Sequence, residues 1–439
     1  MMQETPPHWL FAELPSPRLS YIVQTVLGAH WQVVHDMQTF IQAEGVKLNY
    51  SAITISTTCW QITPHSLLFE KGIHAQQIVL EEKQGLPVFF GNDDALGFDV
   101  LAASFYLLAR YEEYLPFTED AFGRFPVQES LAYRGNFLLL PLIQLWQQQL
   151  KERLQQLFPE VVFPPQHFQF IPSFDIDIAY KYHYRGLWHN LSVFFKSLLI
   201  GQWEDFIEAA NVLAGKQRDP FDVFPQLLAT LQEKQLPAQF FFLVALHNKG
   251  VDKNINPYVK GMQQLIHRIS TLHQTGIHLS VQSHHAHVLN NAEAELDILT
   301  RITQKNIQAN RFHYLHFQLP QQYEQLLALG ITADYSMGYS TVNGFRASYA
   351  NPFLWYNLLQ EKITNLTVYP FCWMDTACIF QQKLSPENAY TQLQQLVHIT
   401  QQVGGYCTPV WHNHCLSTEK KHLPWLMAFT NFMAQQQLT

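Results

Sequence analysis

The chain has 439 residues, which is more than a single domain usually contains, and 47% of them are hydrophobic, so large buried cores are expected. A formal net charge of −8, with only 14% charged residues, argues against a nucleic-acid-binding protein, because such proteins carry a basic stripe that pairs with phosphates. An aromatic content of 14% argues against a disordered acidic chain.

The N-terminal segment and the cysteine usage predict a soluble, cytoplasmic protein. The opening MMQETPPHWL lacks the basic and apolar regions of a signal peptide. The most apolar short run, Phe240 to Leu246, is far too short to cross a bilayer, so no membrane span is expected. The five cysteines are scattered and form no CxxC pair, which favours free thiols in a reducing compartment.

A proline-rich break divides the chain. The segment FPEVVFPPQ at 158–166 contains three prolines and follows a helix-like stretch from Leu142 to Leu157. Proline ends helices and favours extended backbone in the residue before it. We therefore predict a smaller N-terminal mixed α/β domain over residues 1–160, of unknown role, and a second domain over residues 166–439.

Two further elements are predicted in the N-terminal domain. Ala52 to Cys59 (AITISTTC) is rich in β-branched residues and is typical of a strand. Phe98 to Tyr114 has the apolar face of a helix, and it ends in an RYEEY segment. We expect Arg110, Glu112 and Glu113 in that segment to form structural ion pairs and no catalytic site to lie in this domain.

The second domain alternates predicted strands and helices, which implies a parallel sheet or a barrel. Gly276 is predicted to cap a helix in the left-handed conformation, and Ser385-Pro386-Glu387 is a strong helix start. The predicted strands are 168–174, 239–246, 277–280, 366–371 and 406–411, and the predicted helices are 257–275, 320–329 and 385–403.

Polar residues stand where these strands end. In a βα barrel the carboxyl ends of the strands form the catalytic face, so residues distant in sequence could converge there. Asp175 and Asp177 are two apart and share one face of extended backbone, although an Asx turn or a helix cap after the strand is an alternative explanation. A short GFRAS segment carries Arg346. Other polar residues at or just after strand ends are His278, Asp375, His412, Asn413 and His414.

A histidine-rich segment follows the strand at 277. The sequence GIHLSVQSHHAH at 276–287 contains four histidines, and imidazole suits zinc and related ions. Because the chain has 21 histidines, a polar loop is an alternative interpretation of this segment.

Taken together, these segments resemble the polysaccharide deacetylase (NodB-like) family over residues 166–439. SFDID at 173–177, GIHLS at 276–280, GFRAS at 344–348 and WHN at 411–413 resemble the successive motifs of that family, in the same order. The resemblance is to an uncharacterised branch that has an N-terminal extension. It implies an α/β chain whose second domain is a distorted (β/α) barrel of the polysaccharide deacetylase type.

The resemblance also implies roles for individual residues. Asp175 would be the general base, and Arg346 would pair with it. His412 would protonate the leaving amine. Asp177 and His278 would bind a divalent metal, with zinc as the expected ion.

The motifs differ from the family pattern at two places. Ile176 separates the two aspartates, and Gln282 occupies the position of the usual second histidine. The resemblance then leaves the third metal ligand to His284 or His285; the alternative is that the third ligand is missing and the metal is weakly bound or absent. We expect weak, chelator-sensitive metal binding.

Three functions remain open from the sequence. The first is a metal-dependent hydrolase that removes an acetyl group from an N-acetylated sugar or glycan, with a carbohydrate as the substrate. The second is a catalytically degenerate barrel that binds a glycan or a protein partner. The third is a metal-free glycosidase that uses two carboxylates.

Overall fold

The computed structural model describes residues 8–159, 163, 166–199, 203–247, 250–283 and 289–435. Residues 8–159 contain six short strands: β1 His8–Phe11, β2 Trp31–Val34, β3 Lys47–Asn49, β4 Trp60–Gln61, β5 Glu81–Lys83 and β6 Leu86–Val88. They also contain five helices: α1 Pro17–Ile22, α2 Met37–Gln42, α3 Val100–Leu108, α4 Leu131–Arg134 and α5 Leu142–Leu157. The first four strands form a parallel sheet in the order β2-β1-β3-β4, and β5 pairs with β6 as a hairpin.

The remaining strands belong mainly to one large sheet. They are β7 Gln169–Phe170, β8 Ser173–Ile176, β9 Gln239–Phe242, β10 Gln274–Leu279, β11 Ala309–Phe312, β12 Ala333–Asp334, β13 Phe353–Asn357, β14 Lys362–Val368, β15 Trp373–Met374, β16 Tyr406–Cys407 and β17 Pro409–His412. Nine of them pair in the order β13-β14-β12-β11-β10-β9-β8-β17-β15, and β7 pairs with β16. Within the nine-stranded sheet only the pairing of β13 with β14 is antiparallel.

Helices follow most of these strands. They are α6 Leu187–Leu199, α7 Trp203–Leu213, α8 Phe224–Glu233, α9 Lys260–Leu272, α10 Leu289–Thr303, α11 Gln321–Ala328, α12 Pro386–Val403 and α13 Leu423–Gln435. Short 3₁₀ or π turns lie at Val23–Leu27, Ser66–Leu68, Tyr111–Tyr114, Val127–Glu129, Val281–Ser283, His313–Leu315 and Ala377–Gln381. None of the helices in the described part of the chain combines the length and apolar character needed to cross a bilayer.

The start of α12 matches its sequence prediction. The Ser385 side chain accepts a hydrogen bond from the backbone N–H of Asn388, and Pro386 occupies the first helical position. The helix ends at Gly404, whose backbone is left-handed with φ of 63°. Capping residues at both ends therefore set the bounds of this helix, as the local sequence indicates.

Three local predictions are wrong. The helix predicted over 98–114 ends at Leu108, because Arg110 is left-handed with φ of 54° and Tyr111–Tyr114 form a 3₁₀ turn. Residues 52–59 form no strand, because polar side chains fold the chain there into a loop: Asn49 Nδ2 donates to the Ile53 carbonyl at 2.7 Å, and Ser51 Oγ accepts from the Ile53 N–H at 3.2 Å. Gly276 is not a helix cap but lies inside β10. A Cβ at this position would stand 2.5 Å from the Phe241 ring, so glycine allows two neighbouring strands to approach closely.

One contiguous hydrophobic core joins both parts of the chain. Its members run from Leu10 in β1 to Met433 in α13. Tyr21 of α1 lies with its ring centroid 5.0 Å from that of Tyr356 in β13. The division into domains at about 160 is not tested by this packing and stays a prediction.

Candidate active site

Two aspartates lie at the carboxyl end of β8. Asp175 is on the strand and only 2% exposed. Asp177 is the first residue after the strand, and its side chain is 16% exposed. The flanking Phe174 and Ile176 are fully buried, which anchors the strand within the sheet. Alternation along extended backbone then places the two carboxylates on the same face.

Two histidines from neighbouring strands face these carboxylates. His278 lies on β10, and its Nε2 is 3.3 Å from Asp177 Oδ1. His313 follows β11, and its Nε2 is 3.8 Å from Asp177 Oδ2. One donor atom from each of the three residues lies within 4.8 Å of the others, so the group has the geometry to hold one metal ion.

Hydrogen bonds orient both imidazole rings. His278 Nδ1 is 2.7 Å from the Arg311 carbonyl, and His313 Nδ1 is 2.8 Å from Asp252 Oδ1. Each ring therefore donates from Nδ1 and presents Nε2 to the pocket. A metal-binding histidine usually donates a hydrogen bond from the ring nitrogen that does not bind the metal, which here is Nδ1.

The chemistry of these donors fits zinc. Asp177 Oδ1 is buried and has no hydrogen-bond partner of acceptable geometry. Burial alone would raise the pKa of Asp177, but the neighbouring His313, His278 and His412 hold that pKa well below its usual value. Two imidazole nitrogens and one carboxylate, with room for a fourth ligand, form the usual set for catalytic zinc.

Gln282 occupies the position at which the family pattern places a second histidine, and its side chain supports Asp252 instead. Its Nε2 is 3.1 Å from Asp252 Oδ2 and 2.9 Å from the His247 carbonyl. Asp252 in turn orients His313. His284 and His285, proposed from the sequence as the third ligand, lie outside the described residues.

Asp175 is paired with Arg311 rather than with Arg346. Arg311 NH1 donates to Asp175 Oδ1 at 2.7 Å, and NH2 donates to Ser173 Oγ at 2.9 Å. The second oxygen, Asp175 Oδ2, lies 3.8 Å from His278 Nε2 and 3.9 Å from His412 Nε2. One carboxylate oxygen is thus held by the arginine, and the other faces the pocket.

The predicted pairing of Arg346 with Asp175 is therefore wrong. Arg346 donates from Nε and NH2 to the two oxygens of Glu113, at 2.8 and 2.7 Å. Arg110 binds Glu113 and Glu112 in the same buried cluster, at 2.7 and 2.8 Å, which confirms the ion pairs expected in the RYEEY segment. The bidentate bond to Glu113 satisfies the Arg346 guanidinium and fixes it in the contact between the two parts of the chain.

His412 lies on the other side of Asp175, at the end of β17. Its Nδ1 is 2.7 Å from Asp375 Oδ1, and its backbone N–H donates to Asp375 Oδ2 at 2.7 Å. Burial opposes protonation, but the adjacent Asp375 carboxylate outweighs it and raises the pKa of His412 to about 9. Burial beside His412 lowers the pKa of the neighbouring His414 to about 4.

The two aspartates at the end of β8 and four histidines line one pocket of about 310 Å³; the histidines are His278, His313, His412 and His414. Its walls also contain Phe122 and Arg124 from the N-terminal part of the chain, together with Tyr314, Met374 and Phe380. A larger depression of about 880 Å³ lies near Leu236 and Gln274, at the opposite ends of β9 and β10, and none of the residues above lines it. We place the candidate active site in the smaller pocket because the titratable groups converge there.

Sequence reasoning missed Arg311, His313 and Asp252. A signal for the first two was present, because the segment ANRFHY at 309–314 places an arginine and a histidine two apart at a strand end, as in SFDID. Asp252 lies in a loop between β9 and α9, and nothing in its local sequence distinguishes it from other loop aspartates.

Residues 9–159 match the model of a family of unknown function, DUF7033. No curated protein matches the chain. A protein from Mycobacterium smegmatis, assigned as a polysaccharide deacetylase, is similar over 63% of this chain and 86% of its own, at 14% identity with a TM-score of 0.41. A protein from Pseudomonas aeruginosa PAO1 with the same assignment and the Puue allantoinase each have 12% identity and a TM-score of 0.41, over 63% of this chain and 89% of theirs.

Proposed function

We propose that this protein is a metal-dependent hydrolase that removes the acetyl group from an N-acetylated sugar or glycan, by cleaving a C–N bond. The observation that carries the proposal is the convergence of three kinds of group in one pocket. They are three side chains with the geometry to hold a metal ion, a carboxylate held by an arginine, and a histidine held by a carboxylate. A binding protein without catalysis would have no need of this combination.

Asp177, His278 and His313 would hold the metal, for which zinc is our choice. When bound, the ion would polarise the acetamide carbonyl and lower the pKa of a water molecule to about 7. Asp252 and the Arg311 carbonyl keep the two imidazole rings aimed at the ion position.

Asp175 would accept the proton of the attacking water. Its Oδ2 faces the pocket beside His278, and its Oδ1 is fixed by Arg311. A general base must lie within hydrogen-bonding reach of the proton that it accepts, and Oδ2 is the Asp175 oxygen on the pocket side.

His412 would donate a proton to the leaving amine. Its Nε2 lies 3.9 Å from Asp175 Oδ2, and its Nδ1 is occupied by Asp375. Amide hydrolysis requires a base and an acid in the same pocket, because the amine leaves only after it is protonated.

We also propose that the large sheet corresponds to the barrel of the polysaccharide deacetylases. All the residues with proposed roles come from the carboxyl ends of its strands or from the loops that follow them. The contact between Arg311 on β11 and Asp175 on β8 supports a curled sheet, since these strands are separated by β9 and β10.

The test is a titration of metal-depleted protein with Zn²⁺ and Co²⁺, followed by acetate release from N-acetylglucosamine and its oligomers. Asp177→Ala, His278→Ala and His313→Ala should each weaken metal binding and abolish acetate release. His398→Ala is the matched control, because His398 is exposed on α12 and away from the pocket. Equal metal affinity in all these proteins would contradict the proposal.

A further inference from the structure

A loop of the N-terminal part, residues 119–124, reaches the pocket. Asp120 shapes the loop: its Oδ1 accepts from the N–H groups of Phe122 and Arg124 at 2.8 and 3.0 Å. Gly123 provides the left-handed residue of the turn, with φ of 70°. The loop is therefore held in one conformation by its own hydrogen bonds, with Phe122 and Arg124 lining the pocket.

Arg124 connects this loop to the turn that carries His313. Its Nε donates to Asp120 Oδ2 at 2.8 Å, and its NH1 donates to the Tyr314 carbonyl at 2.6 Å. Gln318 adds a second connection, since its Nε2 donates to the Gly123 carbonyl at 2.6 Å and to Glu119 Oε1 at 2.7 Å. The Arg124 side chain is only 10% exposed, so its bond to Tyr314 is largely protected from water.

The turn at 313–315 needs this support. Tyr314 and Leu315 both have positive φ, 58° and 50°, which is uncommon for residues other than glycine. Such conformations persist only where the surroundings enforce them. Because Tyr314 directly follows His313, a change in the turn would move the imidazole away from Asp177 and His278.

Phe122 and Tyr314 form an aromatic rim at the pocket mouth. Their ring centroids are 5.5 Å apart, and Phe122 is 40% exposed. The apolar face of a sugar ring can pack on such a surface. The pocket volume of about 310 Å³ is at the lower end of the range of about 300–1,000 Å³ for small-molecule sites.

We propose that the 119–124 loop completes the active site, with Arg124 as a positioning residue for the His313 turn and Phe122 as a contact for a single N-acetylated sugar unit. This inference rests on the proposed function. In this proposal the N-terminal part affects the metal affinity of the site and limits the size of the substrate, but it contributes no catalytic residue.

The positioning role is tested with Co²⁺ alone, whose visible spectrum reports both occupancy and ligand geometry. Arg124→Met should weaken Co²⁺ binding about tenfold or more, within the range known for partners of metal ligands, and should alter the spectrum. Hydrogen exchange at Tyr314 and Leu315 should become faster in the same variant without metal. Arg134→Met is the control, because Arg134 is exposed in the same part of the chain.

The substrate contact is tested with N-acetylglucosamine and its oligomers. Phe122→Ala should raise KM for the monosaccharide about tenfold, with a much smaller change in kcat and no change in Co²⁺ affinity. Leu139→Ala is the control, because Leu139 is another exposed apolar residue of the N-terminal part. This variant should change neither KM nor Co²⁺ affinity.

The proposed function and the role of the 119–124 loop fail through different outcomes. If wild-type protein binds no Co²⁺, the proposed function fails and this inference falls with it. If wild type binds Co²⁺ and Arg124→Met binds it equally with the same spectrum, the positioning role is overturned alone. An unchanged KM in Phe122→Ala, or a preference of the wild type for long oligomers over the monosaccharide, overturns the assignment to a single sugar unit.

Discussion

Arg311 on β11 donates a 2.7 Å hydrogen bond to Asp175 on β8, although β9 and β10 lie between these strands. Three strand spacings amount to about 14 Å in a flat sheet, and side chains stand roughly perpendicular to the sheet. The contact therefore requires the sheet to curl around this face. The curl brings the end of β11 to the carboxylate that we propose as the base.

We expect Arg311→Lys to reduce kcat about 10- to 100-fold, because the acceptors on Asp175, Ser173 and Tyr335 are spread around the three guanidinium nitrogens and a single ammonium nitrogen cannot reach all of them. Metal affinity should change little, since the bond from His278 goes to the Arg311 backbone. Steady-state kinetics and Co²⁺ titration of the same preparation measure the two quantities. A loss of metal binding that parallels the loss of kcat would contradict a role confined to Asp175.

Arg346→Met should destabilise the fold without affecting the metal site. The substitution leaves Glu113 buried with one guanidinium partner instead of two, and breaking a buried ion pair costs about 3–5 kcal/mol. Urea unfolding measures the loss of free energy of unfolding, and Co²⁺ titration at low temperature checks the site. If the variant has normal stability but lacks activity, Arg346 takes part in catalysis and the structural role is contradicted.

Asp252→Asn should weaken Zn²⁺ binding about 10- to 100-fold, because His313 loses the carboxylate that accepts its Nδ1–H. Competition with a chromophoric chelator measures the affinity. Glu324→Gln provides a control carboxylate, since Glu324 binds Asn357 and Gln360 away from the pocket. If both variants bind Zn²⁺ as tightly as wild type, Asp252 does not orient a ligand.

The pH dependence of kcat/KM should have a basic limb set by His412. A general acid works only while protonated, so activity is retained at pH values below its pKa and is lost as the pH rises through it. Asp375 raises that pKa to about 9, with smaller contributions from Asp177 and Asp175. A bound cation would oppose the last two contributions, so the limb should lie near or below pH 9.

Asp375→Asn tests this assignment. The variant removes the charge that contributes most to the raised pKa, so the basic limb should move toward the ordinary histidine value of about 6.5. The limb is read from pH–rate profiles of wild type and variant under the same metal concentration. An identical limb in both proteins would exclude His412 as the group that it reports.

Local sequence was sufficient wherever a single segment carries the information. The cap at Ser385, the helix from Leu142 to Leu157 and the buried strand that begins at Gln239 follow from residue type and spacing. The pattern of polar residues at strand ends predicts Asp175, Asp177, His278 and His412 as site residues, and the structure brings all four into one pocket. Residues that end parallel strands share an edge of the sheet whatever the strand order is.

Partner choice depended on the tertiary structure. The family resemblance implies a pairing of Arg346 with Asp175, yet Glu113 from the N-terminal part binds Arg346, because a buried guanidinium pairs with the carboxylate that packs beside it. Arg311 and His313 reach the site only through the order of the strands and the curl of the sheet. The sequence by itself determined which strand ends carry reactive groups. The tertiary structure decided which of those groups meet, since hydrogen bonds and metal coordination act over about 2–3 Å and depend on how distant segments pack.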